Sequence, residues 1–160
     1  MASIISIVYQ PEDQAYGETR TDYIRTPLQN AKLVAGHGIL GDRKAGHNPE
    51  RQLNVLSQEW LEAVGTKGYR NGPGQFGEQI IVSDLPVEKL TPGTQLQLGE
   101  SARIEVVKTR TGCERLEAAQ RKSIQGLGPI GVMAKVVTDG VIEVGDSVTI
   151  LKTETSSTKG

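Results

Sequence analysis

One cysteine, one phenylalanine and one tryptophan are all that this chain of 160 residues carries of those three types. A single cysteine excludes an intramolecular disulfide. It also excludes an iron–sulfur cluster, which takes several thiolates. Only two histidines are present, His37 and His47, and with one thiol they make no zinc site at any usual spacing. A metal, if the chain uses one, is therefore expected to arrive on a cofactor. An excess of charge is lacking as well. Eighteen basic residues stand against 19 acidic ones, a formal net charge of −1, which gives no global attraction to nucleic acid or to an anionic membrane. Any anion site must be local. No hydrophobic run approaches the length of a membrane span. The first residues, MASIISIVYQPEDQ, have a short apolar stretch interrupted by Ser3 and Ser6 and no basic flank, so they read as a strand and not as a signal peptide. The expectation is a soluble, cytoplasmic protein without nucleic-acid or membrane partners. Its length suits one domain with a real core.

Several catalytic signatures are missing too. There is no G-x-x-x-x-G-K-[ST] phosphate loop, no G-x-S-x-G and no Ser-His-Asp arrangement. Gly36, Gly38 and Gly41 give G-x-G-x-x-G by letter. They lead into a charged loop and not into a helix, which rejects a dinucleotide site.

What is present is punctuation. Nineteen glycines and seven prolines are spread between short apolar runs, the pattern of a mainly β domain with many turns. Ser3 to Tyr9 alternates as a strand. Asp22 to Arg25, Lys32 to Ala35, Arg51 to Leu56 and Gln79 to Val82 read as further short strands. Thr94–Leu98 with Arg103–Lys108, and Val141–Val144 with Ser147–Leu151, repeat a turn, strand, Gly-acid, strand pattern typical of small barrels built from hairpins. Two helices are expected. One follows Ser57 as N-cap, with Trp60, Leu61 and Val64 on one face. The other runs from about Glu114 to Lys122, with Leu116 and Ala119 inward. The chain is thus read as α+β, mainly β, over residues 1–152, with 153–160 a frayed polar tail.

Two segments carry candidate chemistry. Thr111 and Glu114 have capping-box spacing. With Thr111 as N-cap, Cys113 sits at the second helical position, where free backbone N–H groups favour a thiolate. Lys108, Arg110 and Arg115 add positive charge nearby, and Glu114 opposes them. Two readings stay open: a reactive thiol, or a small core hydrophobe, since free cysteine is often buried. The second segment, Gly36 to Arg51, holds Asp42, Arg43, Lys44, His47 and Arg51 among glycines whose amides could cradle phosphate. The alternative there is an ordered surface turn with solvated charges. Glu78, after Gly77, is either a turn acid or part of a site.

Taken in order, Gly38-Ile39-Leu40-Gly41-Asp42-Arg43-Lys44-Ala45-Gly46 with Arg51-Gln52, Phe76-Gly77-Glu78-Gln79, Leu90-Thr91-Pro92-Gly93 with Leu98-Gly99, Arg110-Thr111-Gly112-Cys113, Gly131 to Val136 and Gly140 to Asp146 resemble the MOSC family, named for the C-terminal domain of molybdenum cofactor sulfurases. The resemblance covers about Ile4 to Leu151. It implies a closed β-barrel with a few peripheral helices, and a single cysteine, here Cys113, that carries sulfur as a persulfide or ligates molybdenum. It implies the molybdenum cofactor, molybdopterin, with its phosphate held by Arg43, Lys44 and Arg51. Asp42, His47 and Glu78 are further candidates for binding the cofactor, and Arg110 would bias Cys113 towards thiolate. Some free-standing relatives reduce N-hydroxylated compounds with a partner reductase, so a molybdenum-dependent reductase is one alternative. A non-catalytic binding module with a buried structural cysteine is another. Pyridoxal-phosphate machinery belongs to the sulfurases at family level. This chain has none, so sulfur would come from a cysteine desulfurase-type partner. The family usually has His at Lys44, Asn at Gln79 and Pro at Gly112.

Overall fold

The computed structural model describes residues 1–11, 26–43, 45–48 and 52–152. The expected strand at Asp22 to Arg25 and the tail at 153–160 lie outside the described residues, as do Lys44 and Arg51.

Among the described residues, eleven strands and two α-helices follow in the order β1 (Ser3–Tyr9), β2 (Thr26–Leu28), β3 (Asn30–Val34), β4 (Gly38–Ile39), β5 (Leu53–Ser57), α1 (Gln58–Gly65), β6 (Ile80–Ser83), β7 (Gln95–Leu98), β8 (Ala102–Arg110), α2 (Glu114–Gln120), β9 (Gly131–Thr138), β10 (Gly140–Glu143) and β11 (Val148–Lys152). A 3₁₀ turn, Val87–Lys89, sits between β6 and β7. The strands form an eight-stranded sheet, β11-β7-β8-β9-β5-β6-β1-β2, and a three-stranded sheet, β10-β3-β4. All pairs are antiparallel except β5 with β6. That parallel pair needs a crossover, and α1 lies within it.

The fold is mainly β with few helices, in agreement with the α+β expectation. The expected closed barrel is not found as a continuous ladder. Instead, the β10–β11 turn meets β1. Ile4 N donates to Asp146 O at 2.8 Å, Gly145 N to Ile4 O at 2.8 Å and Val148 N to Ala2 O at 3.0 Å, and Ser3 bridges to Ser147. The edge strand β11 is thereby drawn to β1 through a few bonds.

The strands separate two cores. Period-2 alternation sends Leu53 and Val55 of β5, Ile80 and Val82 of β6, and Val132, Ala134 and Val136 of β9 into the main core. In β1 a register shift between Ile4 and Ser6 lets both Ile4 and Ile7 point inward, although strict alternation would oppose them. The opposite face carries a smaller cluster of Leu56, Leu61, Val64, Phe76, Ile81, Leu116 and Ile130, roofed by the two helices. Ser57 caps α1 as its spacing predicts, its Oγ accepting from Trp60 N at 3.3 Å. Leu61 and Val64 are buried and Trp60 packs against the same cluster.

The second helix departs from expectation. Thr111 is not its cap. Cys113 is the N-cap, in an extended conformation (φ −141, ψ 171), and Glu114 is the first helical residue. The capping box does not form. The reason is that β8 runs to Arg110, whose carbonyl is held by Ile130 N at 2.9 Å, so only Thr111 and Gly112 separate strand and cap. The helix ends at Gln120, because Arg121 turns left-handed with φ 55.

Gly131 marks the closest approach of β9 to β5. A Cβ there would fall well inside contact distance of Val55 O and only 2.9 Å from Leu56 Cδ1. Gly131→Ala is expected to destabilise by about 1–3 kcal/mol through overpacking. Gly72→Ala, whose added Cβ meets only Gln75 Cγ at 3.7 Å, should stay within about 0.5 kcal/mol of wild type. Urea unfolding of both variants checks the contrast, and equal midpoints would contradict it.

Candidate functional site

The loop before β6 folds around Glu78. Its side chain is fully enclosed, and both carboxylate oxygens are used: Oε2 accepts from Gly74 N, and Oε1 from Phe76 N at 3.1 Å. Arg110, at the end of β8 and 5% exposed, donates through a terminal nitrogen to Phe76 O at 2.5 Å and attracts the Glu78 charge. Glu78 and Arg110 thus form one buried polar centre, with the only phenylalanine as its go-between. Burial pushes the Glu78 carboxyl above the usual carboxylate range and outweighs the opposite pull of the Gly74, Glu78 and Phe76 amides and of Arg110.

On the other side of Gly77 a second network forms. Asp42 is 1% exposed. Its Oδ1 accepts from Gln10 N at 3.1 Å and its Oδ2 from Gln79 Nε2 at 3.3 Å. Gln79 Oε1 in turn accepts from Asn54 N at 2.7 Å. One amide side chain therefore ties the glycine-rich loop to β5. Gln79 was singled out in the sequence only as a departure from a family motif, and it is a junction. Gln52 was likewise no more than a motif letter, yet its buried Oε1 accepts from Val136 N at 2.8 Å. Gln120 was missed altogether. Its amide accepts from Arg70 N at 2.7 Å and donates to Arg70 O at 2.8 Å. The available signal was its place beside Ala119 on the inward face of α2.

The glycine-rich loop does not offer the expected amide cradle. Seven of its N–H groups, those of Gly36, His37, Leu40, Asp42, Arg43, Ala45 and Gly46, are committed to backbone carbonyls. An anion here would be held by side chains. Arg43 is half-buried and His47 exposed, while Lys44 and Arg51 lie outside the described residues.

Cys113 is exposed and its side chain makes no capping hydrogen bond. The buried structural cysteine of the binding-module alternative is therefore not present. Among the described residues no group of three His, Cys, Asp or Glu could hold a metal ion, and no helix is long and apolar enough to cross a membrane.

The class is that of a mainly β scaffold that presents one exposed thiol at the N-cap of α2, three residues after the buried Arg110. The particular family follows from comparison. The model of the MOSC domain matches residues 42–149, and the chain belongs to the MOSC family. Its fold is similar to YuaD from Bacillus subtilis (18% identity, TM-score 0.69, covering 92% of this chain and 94% of that one). It is also similar to YiiM from Geobacillus stearothermophilus (20% identity, TM-score 0.71, 95% and 76%) and YiiM from Escherichia coli (19%, 0.66, 94% and 70%). No curated protein matches by sequence.

An acid whose folded pKa is raised holds its proton longer in the folded than in the unfolded state. Its contribution favours folding below the ordinary value, near 4.5, and declines as pH rises through the folded pKa. Glu78→Gln removes that dependence, so the variant is expected to gain on wild type as pH climbs from acid to neutral. Denaturant unfolding of both proteins across that range measures it, and stability curves that stay parallel would contradict it.

Proposed function

We propose that this MOSC domain works through Cys113, as a carrier of sulfane sulfur or as the single protein thiolate of a bound molybdenum cofactor. The observation that carries the reading is that the only thiol of the chain is exposed three residues beyond a buried arginine, inside the segment that matches the family.

The residues present fit such a cofactor and not a bare ion. One soft thiolate and no ligand cluster among the described residues suit a metal that is already chelated by an organic group and needs one bond from the protein. When bound, the cofactor would supply the redox or sulfur-accepting chemistry. The chain's own residues do the rest. Arg43, Lys44 and Arg51 are the cations that would hold its phosphate by charge-assisted hydrogen bonds, with His47 at the loop's exposed end. Asp42 and Glu78 fix the two loops from inside, and Arg110 holds the end of β8, two residues before the α2 cap that carries the thiol.

As a sulfur carrier, Cys113 thiolate attacks the terminal sulfur of a donor persulfide. A new S–S bond forms at Cys113, the donor's S–S bond breaks, and its thiolate leaves, so no external oxidant is needed. The donor would be a protein persulfide of the cysteine desulfurase type, and the expected location is the cytoplasm.

Incubation with a low-molecular-weight persulfide is expected to add one sulfur atom to wild type, located at Cys113 by peptide mass, and none to Cys113→Ser. Binding of molybdopterin should weaken about tenfold or more in the Arg43→Ala, Lys44→Ala double variant. A Cys113 that takes up neither sulfur nor cofactor would falsify the reading.

A further inference from the structure

Gly112, the residue before Cys113, is not among the glycines with positive φ. Its backbone is open to any residue, so glycine is not required there for conformation. It is required for space. A Cβ at position 112 would overlap Ile124 Cδ1, with Ile124 Cγ1 3.3 Å and Cβ 3.5 Å away. No other residue lies among the three atoms nearest to that point.

Ile124 is itself held. After α2 the chain reverses at left-handed Arg121. Tyr69 OH donates to Ser123 O at 2.5 Å, and Lys122 Nζ lies 5.2 Å from the centre of the Tyr69 ring. Ile124 N donates to Glu117 Oε1 at 3.1 Å, and Leu127 N to Ile124 O at 3.1 Å. Ile124, Leu127 and Tyr69 all pack against the second core cluster. Tyr69 is fixed in turn, because the neighbouring Arg70 is gripped through its backbone by the Gln120 amide. The segment from Lys122 to Leu127 is therefore a strap, pinned at both α2 and Tyr69, that presses one isoleucine against the backbone in front of the thiol.

Only two residues join β8 to the cap of α2, and one of them is glycine, which by itself samples a wide range of backbone conformations. The thiol makes no capping hydrogen bond to the helix, so no cap bond sets its direction. We infer that Ile124 is a positioning residue for Cys113: its side chain, held by the Tyr69 strap, occupies the volume beside Gly112 and fixes the turn that aims the thiol. The inference rests on the reading of Cys113 as the working residue, but it is tested without a cofactor.

The experiment is a double-mutant cycle on the full chain. The rate constant for alkylation of Cys113 by iodoacetamide is measured across pH, with unfolding midpoints measured alongside. Gly112→Ala is expected to change the rate about threefold or more, and Ile124→Val, which deletes the overlapping Cδ1, to return the double variant to within about twofold of wild type. Rates that multiply independently would overturn the inference, as would a Gly112→Ala protein that alkylates like wild type. Ile124→Ala covers the case in which Gly112→Ala fails to fold. It opens the contact without adding an atom, and an unchanged rate and pH profile would also overturn the inference. A role confined to stability would move the midpoint and leave the alkylation profile alone. Uptake of sulfur from a low-molecular-weight persulfide, measured on wild type, separates the two ideas. Its absence removes the functional reading of Cys113, and the alkylation cycle decides the positioning role regardless.

Discussion

A carboxyl group sealed away from water must have its oxygens satisfied, and much of this domain is arranged around doing so for Glu78. The loop from Gly74 to Glu78 curls so that two of its own amides point at the carboxylate. That arrangement still leaves a buried acid, which is costly alone, so Arg110 is drawn in beside it. Arg110 is the last residue of β8, and burying it pins the strand's end, sets where α2 can begin and leaves Cys113 outside. Phe76 completes the unit. Its amide serves the acid, its carbonyl serves the arginine, and its ring packs edge-on against Trp60 at 5.2 Å between centroids. Polar and apolar order are thus coupled at one residue.

Around this centre the longer connections are made by glutamines. Gln52, Gln79 and Gln120 each present an amide that accepts a backbone N–H from another segment. An amide can accept and donate at once and carries no charge, so it satisfies enclosed backbone without needing a counter-ion. The contacts of Asp42 and Gln79 hold the glycine-rich loop by the same means. Seven amides of that loop are bonded to backbone carbonyls, which holds the loop in place.

Several strands and α1 were legible in the sequence because those features are local, whereas β2, β4 and β9 were not read as strands. Alternation marked β1, the repeated turn, strand, Gly-acid, strand pattern marked β8 and β11, and Ser57 ahead of Trp60, Leu61 and Val64 marked the first helix. The start of α2 was misread because Thr-x-x-Glu spacing is a local signal, and the competing constraint, a strand pinned at Arg110 by Ile130 and Phe76, comes from distant residues. Cys113 and the region of Asp42 and Glu78 stood out as candidates, yet nothing local showed that Glu78 faces Arg110 or that Gln79 reaches Asp42, pairs separated by about thirty residues. Ile124 gave no signal at all, since an isoleucine in a glycine-containing loop reads as ordinary packing. The register shift in β1 and the lone parallel pair were equally hidden, because both depend on partners far along the chain.

The order of strands in space also governs the order of events in time. β1 leaves the ribosome first, but its ladder with β6 joins Ser3 to Ser83, and β5 pairs with β9 through Leu53 and Ala134. The β7–β8 hairpin, with Gln95 opposite Glu105, and the short β3–β4 pair, with Val34 opposite Gly38, can form from neighbouring residues. The edges of β5 and β3 that pair with β9 and β10 must therefore wait until the second half of the chain arrives. A topology so dominated by distant pairings folds slowly, on the scale of milliseconds to seconds, and makes the growing polypeptide a natural client for chaperones.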